Sequence, residues 1–558
     1  MRATSLALAQ KAGLSFLYLA LIVFYCVLYA PFGLENNDGG FILGLSRQFS
    51  EGARIYEDIA YIRPPVSIIF HSLSFISPLD AAPILSSRII YFLQIGIYSA
   101  VAAALVSNQL KLSPIALLIL ASASFIFSAH NFPPMAWHTV DGIFFSVLAL
   151  FFAQRAQTGT TSTSFIGALL AFILALLAGL SKQPFYIAPI LVGLIILYPL
   201  SVRKLAITAL AAICGSIILY FILASLLNVN AMISAIGSQT SIRDLVSAGI
   251  VNYMRDWYSL RSIITVGPLA GVLLSWIYGR VTGKIPAAGL YLQIALVLSV
   301  LIFMMSVLQM FLAADRWISP RAMLDSLFTI TTLVSIVESI RTRHRSWLMI
   351  LALHGVSWAA SISWGYTTIA LFSAPSIIVV TIAGMDILEK RKTQVVVATA
   401  TSVAAAVIFF IGNQFLYSLE GPVKRSDSTV SLGDELPALT GIRITATQAA
   451  ALKELQALRS QLGVNLIVLP NWPLYNTIFG GRNPIGMDWL LNTEVGPFDQ
   501  VVRSRLDQVE YTLVFRNASP SPTSEGRFGS QITQSVTQNW VLLDVNAEHF
   551  QVYSNPLH

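Results

Sequence analysis

The chain has 558 residues, of which 55% are hydrophobic and 11% are charged, and its mean hydropathy is +0.71. Soluble domains carry about 25% charged residues, so this composition excludes a soluble globular enzyme, and it also excludes a disordered or coiled-coil chain. The 34 Lys and Arg against 27 Asp and Glu give a net charge of +7, which in a membrane protein marks cytoplasmic loops, so we expect no nucleic-acid partner. Cys26 and Cys214 both lie in apolar runs, which supports neither a disulfide framework nor a cysteine-based zinc site.

Runs of about 20 mostly apolar residues predict transmembrane helices, and the chain contains thirteen such runs. The first run is too long for the apolar part of a signal peptide and no small-residue cleavage site follows it, so we interpret it as a membrane anchor. The approximate bounds of the runs are 14–34, 84–107, 113–129, 139–154, 164–180, 184–200, 205–227, 262–279, 287–312, 323–340, 346–361, 367–386 and 394–416.

Every second connection between the predicted helices is basic, which is typical of cytoplasmic loops. This pattern places the N-terminus in the cytoplasm and, because the number of helices is odd, residues 417–558 on the far side of the membrane. We therefore expect a multi-pass protein of the plasma (inner) membrane. The basic residues of the predicted cytoplasmic connections are Lys111, Arg155, Arg203, Lys204, Arg280, Lys284, Arg341, Arg343, Arg345, Lys390, Arg391 and Lys392.

Residues 417–558 differ in composition from the rest, with ten Lys and Arg against thirteen Asp and Glu. The spacing over 446–461 predicts a helix that stops at Gly463, and strands are predicted at 464–469, 511–515 and 540–545. The predicted fold class is thus mainly α: a polytopic helical membrane domain over residues 1–416, followed by an extracytoplasmic (periplasmic) α/β domain over 417–558.

The first external loop, residues 35–83, is too long for a simple connection. It begins with Glu35-Asn36-Asn37-Asp38-Gly39-Gly40, where two glycines let the backbone approach a ligand beside a carboxylate. Apolar segments at 41–49 and 66–76 suit short helices at the membrane interface. Between them lie Gly52, Tyr56 and Asp58, and then Arg63-Pro64-Pro65 opens the next apolar helix.

This order of an acidic helix end, a Gly/Tyr/Asp element and a basic residue before two prolines resembles the GT-C integral-membrane glycosyltransferases. The similarity is to the branch that includes protein O-mannosyltransferases and lipid A aminoarabinose transferases. Ser181-Lys182-Gln183 is similar to an element at an external helix end of bacterial members. The resemblance implies transfer of a sugar, with inversion, from a polyprenyl-phosphate-linked donor to an extracytoplasmic glycan, lipid or protein acceptor.

The chemistry of such a transfer selects candidate residues. A carboxylate must take the proton of the acceptor hydroxyl, and cations must stabilise the departing phosphate. His138 and Asp141 are three residues apart and share a helix face, where they would line the acceptor cavity or pair with a cation. The predicted catalytic residues are Asp38 and Asp58; the donor-phosphate ligands are Arg54, Arg63, Lys182, Arg316 and Arg321; the substrate-binding residues are Tyr56, Glu57, Tyr61, His138 and Asp141.

Several alternatives stay open at this point. Carboxylates suit Mg²⁺ or Mn²⁺, so a divalent cation is a candidate cofactor with no assigned ligands. A secondary transporter or lipid flippase, a non-catalytic assembly subunit, and a ligase or polymerase with a diphosphate-linked donor are the competing functions. No internal symmetry supports a transporter, and no Walker pattern supports nucleotide hydrolysis.

Overall fold

The computed structural model describes residues 2–35, 38–110, 112–130, 132–159, 161–237, 247, 249–250, 321–362, 371–387, 415–416, 423–469, 472–487, 490, 498–515 and 530–558. The predicted spans 262–279 and 287–312, and nearly all of 394–416, lie outside these residues.

Apolar helices make up most of the described chain before residue 388. They are α1 (Arg2–Tyr29), α2 (Asp38–Ser50), α3 (Val66–His71), α4 (Pro83–Leu110), α5 (Pro114–Ala129), α6 (His138–Thr158), α7 (Thr161–Ser181), α8 (Ala188–Leu197), α9 (Val202–Leu226), α10 (Val229–Gly237), α11 (Arg321–Thr342), α12 (Arg345–Ser361) and α13 (Ala374–Ile387).

Five of the described helices have the length and hydropathy to cross a membrane, which confirms a polytopic helical membrane protein, although the number thirteen stays a prediction. Helix α6 packs against α4, α7, α8 and α12 in the core of the bundle. The predicted span 14–34 is wrong at its end, because the helix stops at Tyr29, before Pro31 and Gly33, whose φ is +76°. The five segments are Ala12–Tyr29, Pro83–Val106, His138–Thr158, Ser162–Ser181 and Val202–Leu226.

The described part of the C-terminal region contains short strands, four α-helices and one larger sheet. Helix α14 confirms the predicted helix; Thr445 and Gln448 form a capping box at its start, and Gly463, at φ +90°, ends it. The elements are β1 (Phe415–Leu416), β2 (Val423–Lys424), β3 (Val430–Ser431), β4 (Arg443–Ile444), α14 (Ala446–Leu462), β5 (Leu466–Leu469), α15 (Leu474–Phe479), α16 (Asp499–Leu506), β6 (Tyr511–Phe515), α17 (Ser530–Asn539), β7 (Val541–Leu543) and β8 (Phe550–Ser554).

The larger sheet has the order β5-β6-β8-β7. Strands β5 and β6 are parallel, and β8 pairs antiparallel with both β6 and β7. The predicted strand 540–545 is shorter in the structure, and β8 has no counterpart in the prediction. Its buried Phe550 and Val552 follow the two-residue period of a strand, which is the signal that the sequence offered.

The C-terminal region docks on the first external loop through α2. The backbones of α2 and α15 come so close at Gly40 that a Cβ there would overlap the backbone of Leu474. Two turns further on, Arg47 Nη1 donates to the carbonyl oxygen of Thr477 at 2.5 Å, and the backbone nitrogen of Asn483 donates to Gln48 Oε1 at 3.2 Å. The loop is therefore held between the bundle and the C-terminal region.

A second contact fixes the turn that follows α2. The guanidinium of Arg505 donates to the carbonyl oxygens of Glu57 at 2.8 Å and Asp58 at 2.9 Å. The backbone nitrogen of Ala60 donates to the carbonyl oxygen of Gly486 at 2.7 Å. Because these bonds use backbone atoms of the loop, they fix its path independently of its side chains.

We predict that Gly40→Ala lowers the stability of the folded protein. The added methyl group must push α2 away from α15, and overpacking of this kind costs about 1–3 kcal/mol. Gly193→Ala is the control, since a Cβ on Gly193 in α8 meets nothing within 4 Å and alanine favours a helix. Thermal unfolding in detergent measures both; a Gly40→Ala protein as stable as wild type would contradict close packing here.

Candidate active site

Asp38 is the first residue of α2 and its side chain is 2% exposed. The preceding Glu35 accepts a hydrogen bond from the backbone nitrogen of Gly39, which ties the turn together. Burial raises the pKa of Asp38 well above its ordinary value, Glu35 raises it further, and the nearby Arg63 opposes both. A carboxyl group with a raised pKa is suited to exchange a proton near neutral pH.

Arg63 links the loop to the start of α6. Its Nη1 lies 3.0 Å from His138 Nε2, and its guanidinium lies 5.4 Å from the centroid of the Phe41 ring. A guanidinium only donates hydrogen bonds, so His138 Nε2 accepts and its proton is on Nδ1. That Nδ1 is buried and has no hydrogen-bond partner among the described residues.

Lys182 lies near Arg63 and contacts the start of α6. It lies between α7 and the 3₁₀ helix Gln183–Ile187, in extended backbone, and is 3% exposed. Its Nζ lies 2.6 Å from Thr139 Oγ1. Burial and the charge of Arg63 lower the pKa of Lys182. Two neighbouring cations in a buried site create a positive potential that an anion would relieve.

Aromatic side chains enclose the loop side of this cluster. The ring centroid of Tyr61 lies 6.2 Å from that of Phe41 and 6.3 Å from that of Tyr56. Tyr56 adopts φ +73°, which is unusual for a side chain of this size, and its hydroxyl donates to the carbonyl oxygen of Arg63 at 2.7 Å. The left-handed backbone thus directs the tyrosine to the residue that carries the guanidinium.

The other three charged candidates of the loop form a separate network at its surface. Arg54 Nη1 lies 2.5 Å from Glu57 Oε2, its Nε lies 3.4 Å from Asp58 Oδ2, and its side chain is 67% exposed. The backbone nitrogen of Arg54 also donates to Asp58 Oδ2 at 2.9 Å. Hydrogen bonds from Arg54 lower the pKa of Asp58, so this carboxylate is ionised and engaged in holding the turn.

Asp141 lies one helical turn deeper than His138 and has partners of its own. His71 Nε2 lies 3.0 Å from Asp141 Oδ1, and Gln94 Nε2 donates to the same oxygen at 2.8 Å. All three side chains are buried. These bonds join α3, α4 and α6 at Asp141. Asp141 is thus bonded to partners other than those of the cluster around Arg63.

Arg88 is not among the site residues predicted from the sequence. Its guanidinium donates to the carbonyl oxygens of Ala30, Phe32 and Gly33, at 2.8, 3.2 and 2.8 Å. These carbonyls follow the end of α1, where a helix leaves acceptors unsatisfied. Arg88 thus positions the segment that leads into Asp38.

Arg316 and Arg321 are the remaining predicted phosphate ligands. Arg316 lies outside the described residues, and Arg321 begins α11. Within the described part of the chain, no group of three or more His, Cys, Asp or Glu could hold a metal ion. The structure thus brings together Asp38, Arg63, Lys182, His138, Tyr56 and Tyr61.

No protein-family model and no curated protein matches the chain. The chain is similar to the archaeal oligosaccharyltransferase AglB of Archaeoglobus fulgidus, in complex with an inhibitory peptide and a dolichol-phosphate, at 13% identity and a TM-score of 0.44, over 90% of this chain and 69% of that one. It is also similar to ArnT of Cupriavidus metallidurans, bound to undecaprenyl phosphate, at 12% identity and a TM-score of 0.44, over 98% and 99% of the two chains. At these identities and TM-scores, the two similarities assign neither a family nor a chemistry to the chain.

We predict that Asp38→Asn stabilises the protein at neutral and alkaline pH. A carboxyl group whose pKa is higher in the folded than in the unfolded chain costs stability once it ionises, so this cost is absent below the unfolded pKa and grows as pH rises. The difference in unfolding temperature between variant and wild type should be small at pH 4 and favour the variant at pH 8. A difference that does not change with pH would contradict the raised pKa.

Proposed function

We propose that the chain is a membrane glycosyltransferase that moves a sugar from a polyprenyl-phosphate-linked donor to a hydroxyl group of an acceptor. The observation that carries this proposal is the arrangement of one buried carboxyl group, Asp38, beside the half-buried guanidinium of Arg63, which neighbours the buried ammonium group of Lys182. A base and an anion site next to each other are what transfer with a phosphate leaving group requires.

Asp38 acts as the base in this proposal. The acceptor oxygen attacks the anomeric carbon from the face opposite the phosphate, its proton passes to an Asp38 carboxylate oxygen, and the bond between that carbon and the phosphate oxygen breaks. The configuration at the anomeric carbon is thereby inverted. Because burial raises the pKa of Asp38, its carboxylate is a stronger base than an exposed aspartate.

Arg63 and Lys182 hold the phosphate as negative charge accumulates on it. Arginine offers paired donors to phosphate oxygens, and lysine adds a compact charge. His138 Nε2 accepts a hydrogen bond from Arg63 and so helps to orient the guanidinium. Tyr56 and Tyr61 contribute the apolar faces against which a sugar ring packs. We assign Arg54, Glu57 and Asp58 to the turn rather than to the reacting atoms, because they bond to one another at the surface.

The distribution of charge supports an extracytoplasmic location for this reaction. The start of α6 carries His138, whereas its end carries Arg155, and Arg343 and Arg345 lie at that second end, around the same cavity as Arg155. With the basic end in the cytoplasm, Asp38 and the C-terminal region 417–558 face the other side of a plasma (inner) membrane. Nucleotide sugars are not at hand there, which favours a lipid-linked donor.

Two alternatives predict different substrates. A ligase or polymerase would use the same cation pair on a diphosphate-linked donor, and a transporter or flippase would move a lipid without breaking a bond. The buried base Asp38 favours chemistry over transport, since transport needs no proton acceptor at an acceptor hydroxyl.

We expect Asp38→Asn to lower transfer by about 100-fold or more, because an amide cannot take the acceptor proton. Membranes with wild type or variant are given a panel of radiolabelled polyprenyl-monophosphate sugars, and label on any acceptor is measured. Asp58→Asn is the comparison and should keep most of the activity, since its carboxylate pairs with Arg54. Equal losses in both variants would contradict a single base, and label transferred only from diphosphate donors would favour the ligase.

We expect Lys182→Met to weaken use of the donor and Lys182→Arg to restore much of it. Losing a charged hydrogen bond to phosphate costs about 1.5–3 kcal/mol, which corresponds to roughly 10- to 100-fold. The loss should be shared between KM for the donor and kcat, because the phosphate is bound throughout and gains charge in the transition state. A Lys182→Met enzyme with unchanged kcat/KM for the donor would exclude Lys182 as a phosphate ligand.

A further inference from the structure

A cavity of about 1090 Å³ lies at the other end of the helical bundle from Asp38. It is formed where α6 ends, α7 begins and α11 turns into α12. Helix α6 has 21 residues, so at 1.5 Å per residue the cavity lies roughly 30 Å from His138. This distance separates it from the site already described.

One wall of the cavity is basic. Arg155, Arg343, His344 and Arg345 line it, and among its described lining residues there is no Asp or Glu. The guanidinium of Arg155 lies 4.9 Å from the centroid of the Phe151 ring, which holds the cation at the edge of the apolar surface. Three guanidinium groups without a lining carboxylate form a site for an anion.

The turn between α11 and α12 is shaped to present these side chains. Arg343 adopts φ +52° and ends α11, and the hydroxyl of Tyr198 donates to its carbonyl oxygen at 2.9 Å. His344 then caps α12, its side chain accepting a bond from the backbone nitrogen of Ser346. The backbone of the turn is thus bonded to its neighbours while the Arg343 and Arg345 side chains stay exposed.

Apolar side chains line another part of the cavity. Ile166 and Leu170 line the cavity from α7 and are 56% and 37% exposed. They belong to the segment Ser162–Ser181, which is long and apolar enough to cross the membrane. Apolar side chains exposed on such a segment contact acyl chains, and Phe151 and Phe152 continue this surface on α6.

We propose that this cavity binds the headgroup of an anionic phospholipid, with its phosphate on Arg155, Arg343 and Arg345 and the start of its acyl chains along Ile166 and Leu170. The charge of the basic wall and the lipid-facing apolar wall are complementary to the two parts of such a molecule. A soluble phosphate would use the basic wall alone. The proposal is independent of the transfer reaction and of the orientation of the chain.

The test is lipid binding to the full-length protein, purified and delipidated in a neutral detergent and observed by native mass spectrometry. Phosphatidylglycerol and phosphatidylcholine with identical acyl chains are compared, with an excess of inorganic phosphate in a third arm. Each basic residue near an anionic lipid contributes about fivefold in affinity, so Arg343→Gln with Arg345→Gln should weaken phosphatidylglycerol binding about 25-fold. Arg155→Gln is a second, single variant should the double variant fail to fold.

Arg203→Gln is the matched control, since Arg203 is an exposed cation at the start of α9 and does not line the cavity. We expect wild type and Arg203→Gln to prefer phosphatidylglycerol, and inorganic phosphate not to displace it. Equal binding of the two lipids by wild type, or equal losses in the control and the cavity variants, would overturn the proposal. Displacement of phosphatidylglycerol by inorganic phosphate would show a site for a soluble anion instead.

Discussion

The burial of charged groups beside one another is the constraint on which this protein depends. Asp38, Arg63 and Lys182 come together at one end of an apolar bundle. Asp38 is 2% exposed and Lys182 is 3% exposed. Desolvation of one ion costs several kcal/mol unless partners compensate, and here burial raises the pKa of the acid and lowers that of the lysine. The function that we propose gives a reason for this cost in stability, since the cluster would bind a phosphate and accept a proton.

The rest of the fold holds these groups in place. Arg88 bonds the carbonyls after α1, and thereby positions the segment before Asp38. Arg505 bonds the backbone of the turn after α2, and the C-terminal region packs on α2 at Gly40. These contacts act through backbone atoms, so they fix the path of the loop that carries the acid between the bundle and the C-terminal region. The C-terminal region therefore forms its own sheet and also supports the loop that carries Asp38.

Sequence alone predicted the parts of this arrangement that depend on local pattern. Apolar runs located α4 to α9 to within a few residues, and the Asp38-Gly39-Gly40 turn and Lys182 stood out as polar groups beside helix ends. The local sequence around a residue does not indicate which side chains from distant parts of the chain it contacts. Nothing in the spacing of His138 and Asp141 shows that Asp141 pairs with His71 and Gln94 whereas His138 meets Arg63. Asp58 likewise resembles Asp38 in sequence, and its bonds to Arg54 at the surface, which the sequence does not show, distinguish the two in the structure. Strand β8 was missed because five residues carry too little periodicity to be separated from a loop.

The central claim is that a lipid phosphate binds between Arg63 and Lys182 beside Asp38. An experimental structure of the full chain with a bound polyprenyl phosphate tests it most directly. We predict phosphate oxygens within hydrogen-bond distance of the Arg63 guanidinium and of Lys182 Nζ, with the Asp38 carboxylate facing the space that the sugar and acceptor would fill. Phosphate bound elsewhere, with Lys182 still bonded to Thr139 and no ligand near Arg63, would contradict the assignment of this cluster as the active site.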